Sequence, residues 1–81
     1  MRIRVRLFAA LREVAGRGDL ELDLPPAATA EDAWRRLAQE HPALASRRGS
    51  LAASVNRRYA PFSQALAEGD ELVFIPPVSG G

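Results

Sequence analysis

The 81-residue sequence has no cysteine and no lysine, and one residue each of histidine, tryptophan, tyrosine and methionine. Without cysteine there is no disulfide framework, no thiolate-held zinc or iron–sulfur centre and no cysteine nucleophile. The lone histidine, His41, could not hold a metal without several carboxylates beside it. Without lysine, no side-chain amine can form a Schiff base or an isopeptide bond. All 11 basic residues are arginine, against 10 acidic residues, so the formal net charge is +1. That balance, with no aromatic residues interleaved among the arginines, argues against a nucleic-acid partner. No apolar run approaches the ~18 residues of a membrane span. The N-terminus opens directly into a patterned strand, with no signal-peptide apolar block. A cytoplasmic protein with no membrane partner is the expectation.

Hydrophobic residues make up 47% of the chain, but 15 of them are alanine. The rest suffice for one small domain, a sheet carrying one or two helices, and leave no room for a deep cavity holding substrate and cofactor together. Residues 2–8 alternate, with Ile3, Val5 and Leu7 on one side and Arg2, Arg4 and Arg6 on the other, which predicts a strand with one wet face. Residues 9–15 suit a short helix with Gly16 as its C-cap. Residues 19–24 alternate again, Leu20, Leu22 and Leu24 inward, and Pro25-Pro26 stops that strand.

A main helix is expected over residues 30–40. Thr29 is its N-cap, Glu31 and Asp32 sit in its first turn, and Ala30, Ala33, Trp34, Leu37 and Ala38 form its apolar stripe. Trp34 is assigned to the core. His41-Pro42 ends the helix, and His41 is read as a helix-end residue. Residues 43–50 read as a polar connection with a helical turn, and 51–56 as a short strand. Arg57-Arg58 is placed in a turn, and Tyr59 begins a short strand. Residues 62–67 read as a helical turn, and Glu68-Gly69-Asp70 as a tight turn. Residues 71–75, nearly all apolar, suit a central strand between earlier ones. The order implies an α+β roll of the β-grasp type: a mixed sheet, one main helix and short additional helices. A ferredoxin-like split βαβ fold would need a second substantial helix, which residues 60–67 are too short to supply.

Internal acid–base chemistry has little to work with. No metalloprotease, nucleophile-elbow or phosphate-loop pattern occurs. Asp19, Glu21 and Asp23 read as the solvated side of a strand. The ending Pro-Pro-Val-Ser-Gly-Gly is different. Two prolines stiffen the chain as it leaves the sheet, and two residues without side chains allow an extended end to thread a narrow channel. The carboxylate of Gly81 would then reach a foreign active site, where it reacts only after conversion to a mixed anhydride or similar acyl species. The expected division is a domain over 1–75 and a flexible tail over 76–81.

The opening strand with FAALREVAG after it, the segment LAASVNRRY, the segment EGDELVFIPP and the ending PPVSGG together resemble the family of small sulfur-carrier subunits of molybdopterin synthase, ubiquitin-like β-grasp proteins. The resemblance spans almost the whole chain. It implies a non-catalytic subunit that binds no cofactor itself. A ubiquitin-activating-enzyme-like adenylyltransferase would use ATP to adenylate Gly81, and a sulfur donor enzyme would convert it to a thiocarboxylate. Gly80 would help the tail thread the large synthase subunit, in a heterotetramer of two small and two large subunits. There the sulfur would pass to cyclic pyranopterin monophosphate, with catalytic side chains supplied by the large subunit.

Partner-binding positions carried over from the family are Phe8, Arg12, Tyr59, Phe74 and Ile75, with Pro76 and Pro77 at the tail root. Strand alternation makes Ile75 the surface residue and Phe74 the core one. Ile75 stands where an aromatic is often found and Tyr59 where an aliphatic residue does, which bears on partner specificity. Related carriers for thiamine or transfer-RNA thiolation, protein modifiers, and a non-covalent β-grasp binding module are the alternatives.

Overall fold

A computed structural model describes residues 1–77. The elements are β1 (Arg2–Leu7), α1 (Ala9–Ala15), β2 (Asp19–Asp23), α2 (Ala30–Glu40), a 3-10 helix (Pro42–Ser50), β3 (Ala52–Val55), β4 (Arg58–Ala60) and β5 (Glu71–Ile75). The sheet order is β2-β1-β5-β3-β4. β5 runs parallel to β1 and antiparallel to β3, and both outer pairs are antiparallel. This is the ubiquitin-like β-grasp arrangement, with the most apolar strand at the centre as expected.

One face of the sheet carries the core. Ile3, Val5 and Leu7 of β1 and Leu72 and Phe74 of β5 are essentially inaccessible, and α2 contributes Ala30, Ala33, Trp34 and Leu37. Trp34 meets Phe74 edge-on with ring centroids 5.0 Å apart, and Phe62 stacks on Phe74 at 5.8 Å. Arg48 then lies 3.3 Å above the Phe62 ring centroid. Its Nη2 donates to Glu31 Oε1 at 2.7 Å and its Nε to Oε2 at 3.0 Å. A continuous stack thus runs from α2 through β5 and the loop before it to the 3-10 helix.

Several local expectations change. The first strand ends at Leu7, because Phe8 is already the N-cap of α1 and the chain turns sharply at Ala9 (φ 49°). The second strand stops one residue early, although Leu24 stays buried and its N–H donates to the Met1 carbonyl at 2.8 Å. The connection after α2 is a nine-residue 3-10 helix. Pro42 fits its first turn, where no N–H partner is needed, and fully buried Leu44 anchors it.

The third strand is Ala52–Val55, shorter than 51–56. The hairpin turn after it is Asn56-Arg57, not Arg57-Arg58. Both residues take positive φ (51° and 70°), whose twist matches that of the flanking strands. Arg58 consequently begins β4.

Residues 62–67 do not form a helical turn. Phe62 and Ser63 make a turn, and Ala65 bridges to Thr29. The cause lies in α2, whose first N–H groups have no partner within the helix. Ala30 N–H donates to the Gln64 carbonyl at 3.0 Å and Glu31 N–H to the Phe62 carbonyl at 2.9 Å. In return, Leu66 N–H donates to the Ala28 carbonyl at 2.8 Å. The segment is held open to serve those partners.

Candidate functional site

The sheet's other face divides into two halves, and the pairing register explains why. On the β2–β1 side, Arg2, Arg4 and Arg6 stand opposite Asp23, Glu21 and Asp19. Arg2 Nε and Asp23 Oδ1 are 3.2 Å apart, as are Arg6 Nε and Asp19 Oδ1. The hydrogen bond to Asp23 raises the Arg2 pKa further above an already high value, so its charge is permanent. This half balances its own charge, and such exposed pairs add little stability. An open groove of about 290 Å³ lies here, lined by Arg2, Arg4, Glu21, Glu68 and Glu71.

The other half is apolar. In β5, Leu72 and Phe74 turn inward, so Val73 and Ile75 turn to the open side. Register places Ala52 opposite Ile75, and Ser54 opposite both Val73 and Tyr59. Tyr59 is 81% exposed and Phe8 45% exposed, the two large apolar side chains most open to solvent. Phe8 belongs to this face because the Arg6 guanidinium lies 5.6 Å from its ring centroid. The chain turns from strand to helix within Phe8 and Ala9, with Phe8 extended and unable to cap α1 with its side chain.

Pro76 is half-buried and Pro77 exposed. Because β1 and β5 are parallel, the tail root leaves the sheet at the end where β1 reaches Phe8. The charged groove lies at the opposite end, where both strands begin. Phe8, Ile75, Pro76 and Pro77 therefore share one end of the domain. Tyr59 is on the same face but further back, on the edge strand and level with Ser54 and Val73, whereas Phe74 is wholly buried.

Arg12 sits elsewhere. It is exposed on α1, and a Cβ built on Gly18 would lie 3.2 Å from its Nε. Gly18 accepts from Leu7 N–H on the β2 side of β1, away from β5 and β4. Val73 and Ala52 complete the apolar corner and were not singled out from the sequence, although period-2 alternation puts Val73 on the side of Ile75. Gly80 and Gly81 lie outside the described residues.

Among the described residues no three His, Cys, Asp or Glu side chains gather as a metal site, and no helix is long and apolar enough to cross a membrane. His41 caps the end of α2 through its N–H, which donates to the Leu37 carbonyl at 2.8 Å. Among the described residues the geometry offers an exposed apolar surface beside Pro76 and Pro77, not an assembled acid–base pair.

The model of the ThiS family matches residues 5–81. The chain is 39% identical to the molybdopterin synthase sulfur carrier subunit of Chlamydomonas reinhardtii, over all of both chains. It is 43% identical to small archaeal modifier protein 1 of Haloferax volcanii, over 94% of this chain and 97% of that one. The crystal structure of the Haloferax protein superposes with a TM-score of 0.89, at 39% identity and with complete coverage of both chains. With its β-grasp sheet and a match that runs through both terminal glycines, this chain belongs to the ThiS family of ubiquitin-like sulfur carriers.

Proposed function

We propose that the carboxylate of Gly81 is the reactive group of this protein and that residues 76–81 form the tail that presents it. A ubiquitin-activating-enzyme-like adenylyltransferase binds the carrier and ATP. The carboxylate oxygen attacks the α-phosphorus, pyrophosphate leaves, and an acyl-adenylate results. Hydrosulfide released by a donor enzyme then attacks the acyl carbon, the acyl–oxygen bond breaks with its electron pair on AMP, and a thiocarboxylate remains. The observation that carries this reading is the family match reaching Gly81, on a domain whose tail root adjoins an exposed apolar corner. Phe8, Tyr59 and Ile75 dock the partner, Pro76 and Pro77 aim the tail, and Gly80 lets it extend through a narrow channel. Arg12 lies off this face and meets, at most, the margin of the same partner.

Two destinations for the activated tail have support. In one, the large subunit of molybdopterin synthase receives the thiocarboxylate in a heterotetramer, and sulfur builds the dithiolene of molybdopterin from cyclic pyranopterin monophosphate. The likeness to the Chlamydomonas sulfur carrier subunit supports this. In the other, the activated glycine is joined to amines of other proteins. The 43% identity to small archaeal modifier protein 1, with the close superposition on its crystal structure, supports this at least as well.

Intact-mass measurement after incubation with the adenylyltransferase, ATP and a sulfur donor tests the common step. Replacing one carboxyl oxygen by sulfur adds about 16 Da. The destinations separate when the charged protein is offered the large subunit with the pterin precursor, or lysine-bearing proteins. Dithiolene product supports the first, and a mass increment of one carrier on lysine supports the second. A protein that never gains sulfur or an adenylate refutes both.

A further inference from the structure

We propose that the activated carrier cannot be joined to another copy of itself, so that an acceptor amine takes one carrier and no chain grows from it. The proposal rests on the activated Gly81 of the preceding section. The acyl-adenylate is an electrophile toward amines. An amine nitrogen attacks the Gly81 carbonyl carbon, an amide forms, the acyl–oxygen bond breaks with its electron pair on AMP, and the nitrogen gives a proton to solvent. On a protein surface lysine is the side chain that supplies such an amine.

This chain has none. All 11 of its basic side chains are guanidinium groups. These stay protonated at any ordinary pH and hold no lone pair ready to attack. Many of them are exposed, including Arg35 and Arg36 on α2, Arg57 in the β3–β4 turn and Arg58 in β4. Lysine at such places would present amines all round the domain. Arginine keeps the charge and removes the nucleophile.

One amine remains, at Met1, and the fold occupies it. The Met1 ammonium donates to the Leu24 carbonyl at 2.6 Å in a partly buried setting. Leu24 N–H donates back to the Met1 carbonyl at 2.8 Å. The pair extends the β1–β2 ladder by one rung, so attack from Met1 would require that rung to open and the ammonium to lose its proton. The surface that surrounds an activated tail thus offers it no lysine amine, and the amine that accepts the carrier must be a foreign one.

The test uses the full chain with a Gly81 thioester made by thiolysis of an intein fusion, which needs no activating enzyme. Wild type is compared with Arg57→Lys and Arg35→Lys, each incubated at high concentration under mildly alkaline conditions and read by denaturing mass spectrometry. Thermal melting checks that both variants keep the fold. The expected result is a covalent dimer, at about twice the 8.8 kDa chain mass, in both lysine variants and not in wild type. Added Nα-acetyl-lysine should form an amide with wild type, with loss of the thiol. A wild-type dimer, through Met1 or any other residue, overturns the proposal, as does the absence of dimer from both variants. Failure of enzymatic charging is a separate result that bears on the preceding section.

Discussion

Phe8 is a poor choice for its local role. N-cap positions favour Ser, Thr, Asp or Asn, whose side chains accept from the first turn. Phe8 makes no such bond and leaves 45% of its surface in water. Folding does not need it there, so its use is sought outside the domain. Phe8→Asp should leave the denaturation midpoint unchanged or raise stability by up to about 1 kcal/mol through the new cap. The same change should weaken binding to the partner that receives the tail, measured by titration calorimetry; a large loss of stability with intact binding would reverse the assignment. Trp34 is the opposite case, 2% exposed and edge-on to Phe74. Trp34→Ala should cost about 3–5 kcal/mol in denaturant unfolding. The placement of Trp34 was legible from the helical stripe, whereas Phe8 was singled out only through the family resemblance. That Ala9 adopts φ 49°, ending the strand one residue early, was not legible, because alanine gives no signal for a left-handed turn.

The α2 helix shows how far local chemistry determines an element and where it stops. Its stripe, its acidic first turn and Thr29 predicted residues 30–40, and the capping box is complete: Asp32 N–H donates to Thr29 Oγ1 at 3.2 Å, and Thr29 N–H to Asp32 Oδ2 at 2.9 Å. Thr29→Ala should therefore cost about 1 kcal/mol, read from the urea midpoint. The partners of α2 were not legible. Residues 62–67 are held open by donors of a helix some thirty positions earlier, and no local pattern in that segment records it. Arg48 and Glu31 stand 17 positions apart, again beyond the reach of a local pattern. Their contact has a consequence for acid stability. The hydrogen bonds from Arg48 hold the Glu31 carboxyl below its ordinary range, against the opposing effect of burial. A carboxyl depressed by folding stabilises the native state above its unfolded pKa, and that contribution is lost as pH falls through the folded value. The stability gap between wild type and Glu31→Gln should accordingly narrow below pH ~4.3. A gap that stays constant or widens on acidification would show that the pair does not stabilise the fold.

The molecule as a whole is organised along the β1–β5 pair. Because these strands run parallel, both finish at one end, and the apolar corner of Phe8, Ile75 and Ala52 gathers beside the Pro76-Pro77 root. The charged half of the same face settles its own ion pairs, and the apolar corner is the surface proposed for a partner. The β-grasp layout was readable from the order of patterned segments and from the apolar run at 71–75. The division of the open face was only half readable: alternation assigns a side to each residue, but strand order decides which residues become neighbours. The protein's proposed work then falls to its last residue. Charging of the full chain and of the chain lacking Gly81 is to be compared by intact mass spectrometry, with circular dichroism melting curves for both. The full chain should gain about 16 Da, and the shortened one should melt alike and gain nothing. Equal charging of the shortened chain would contradict the assignment of Gly81 as the carrier of sulfur.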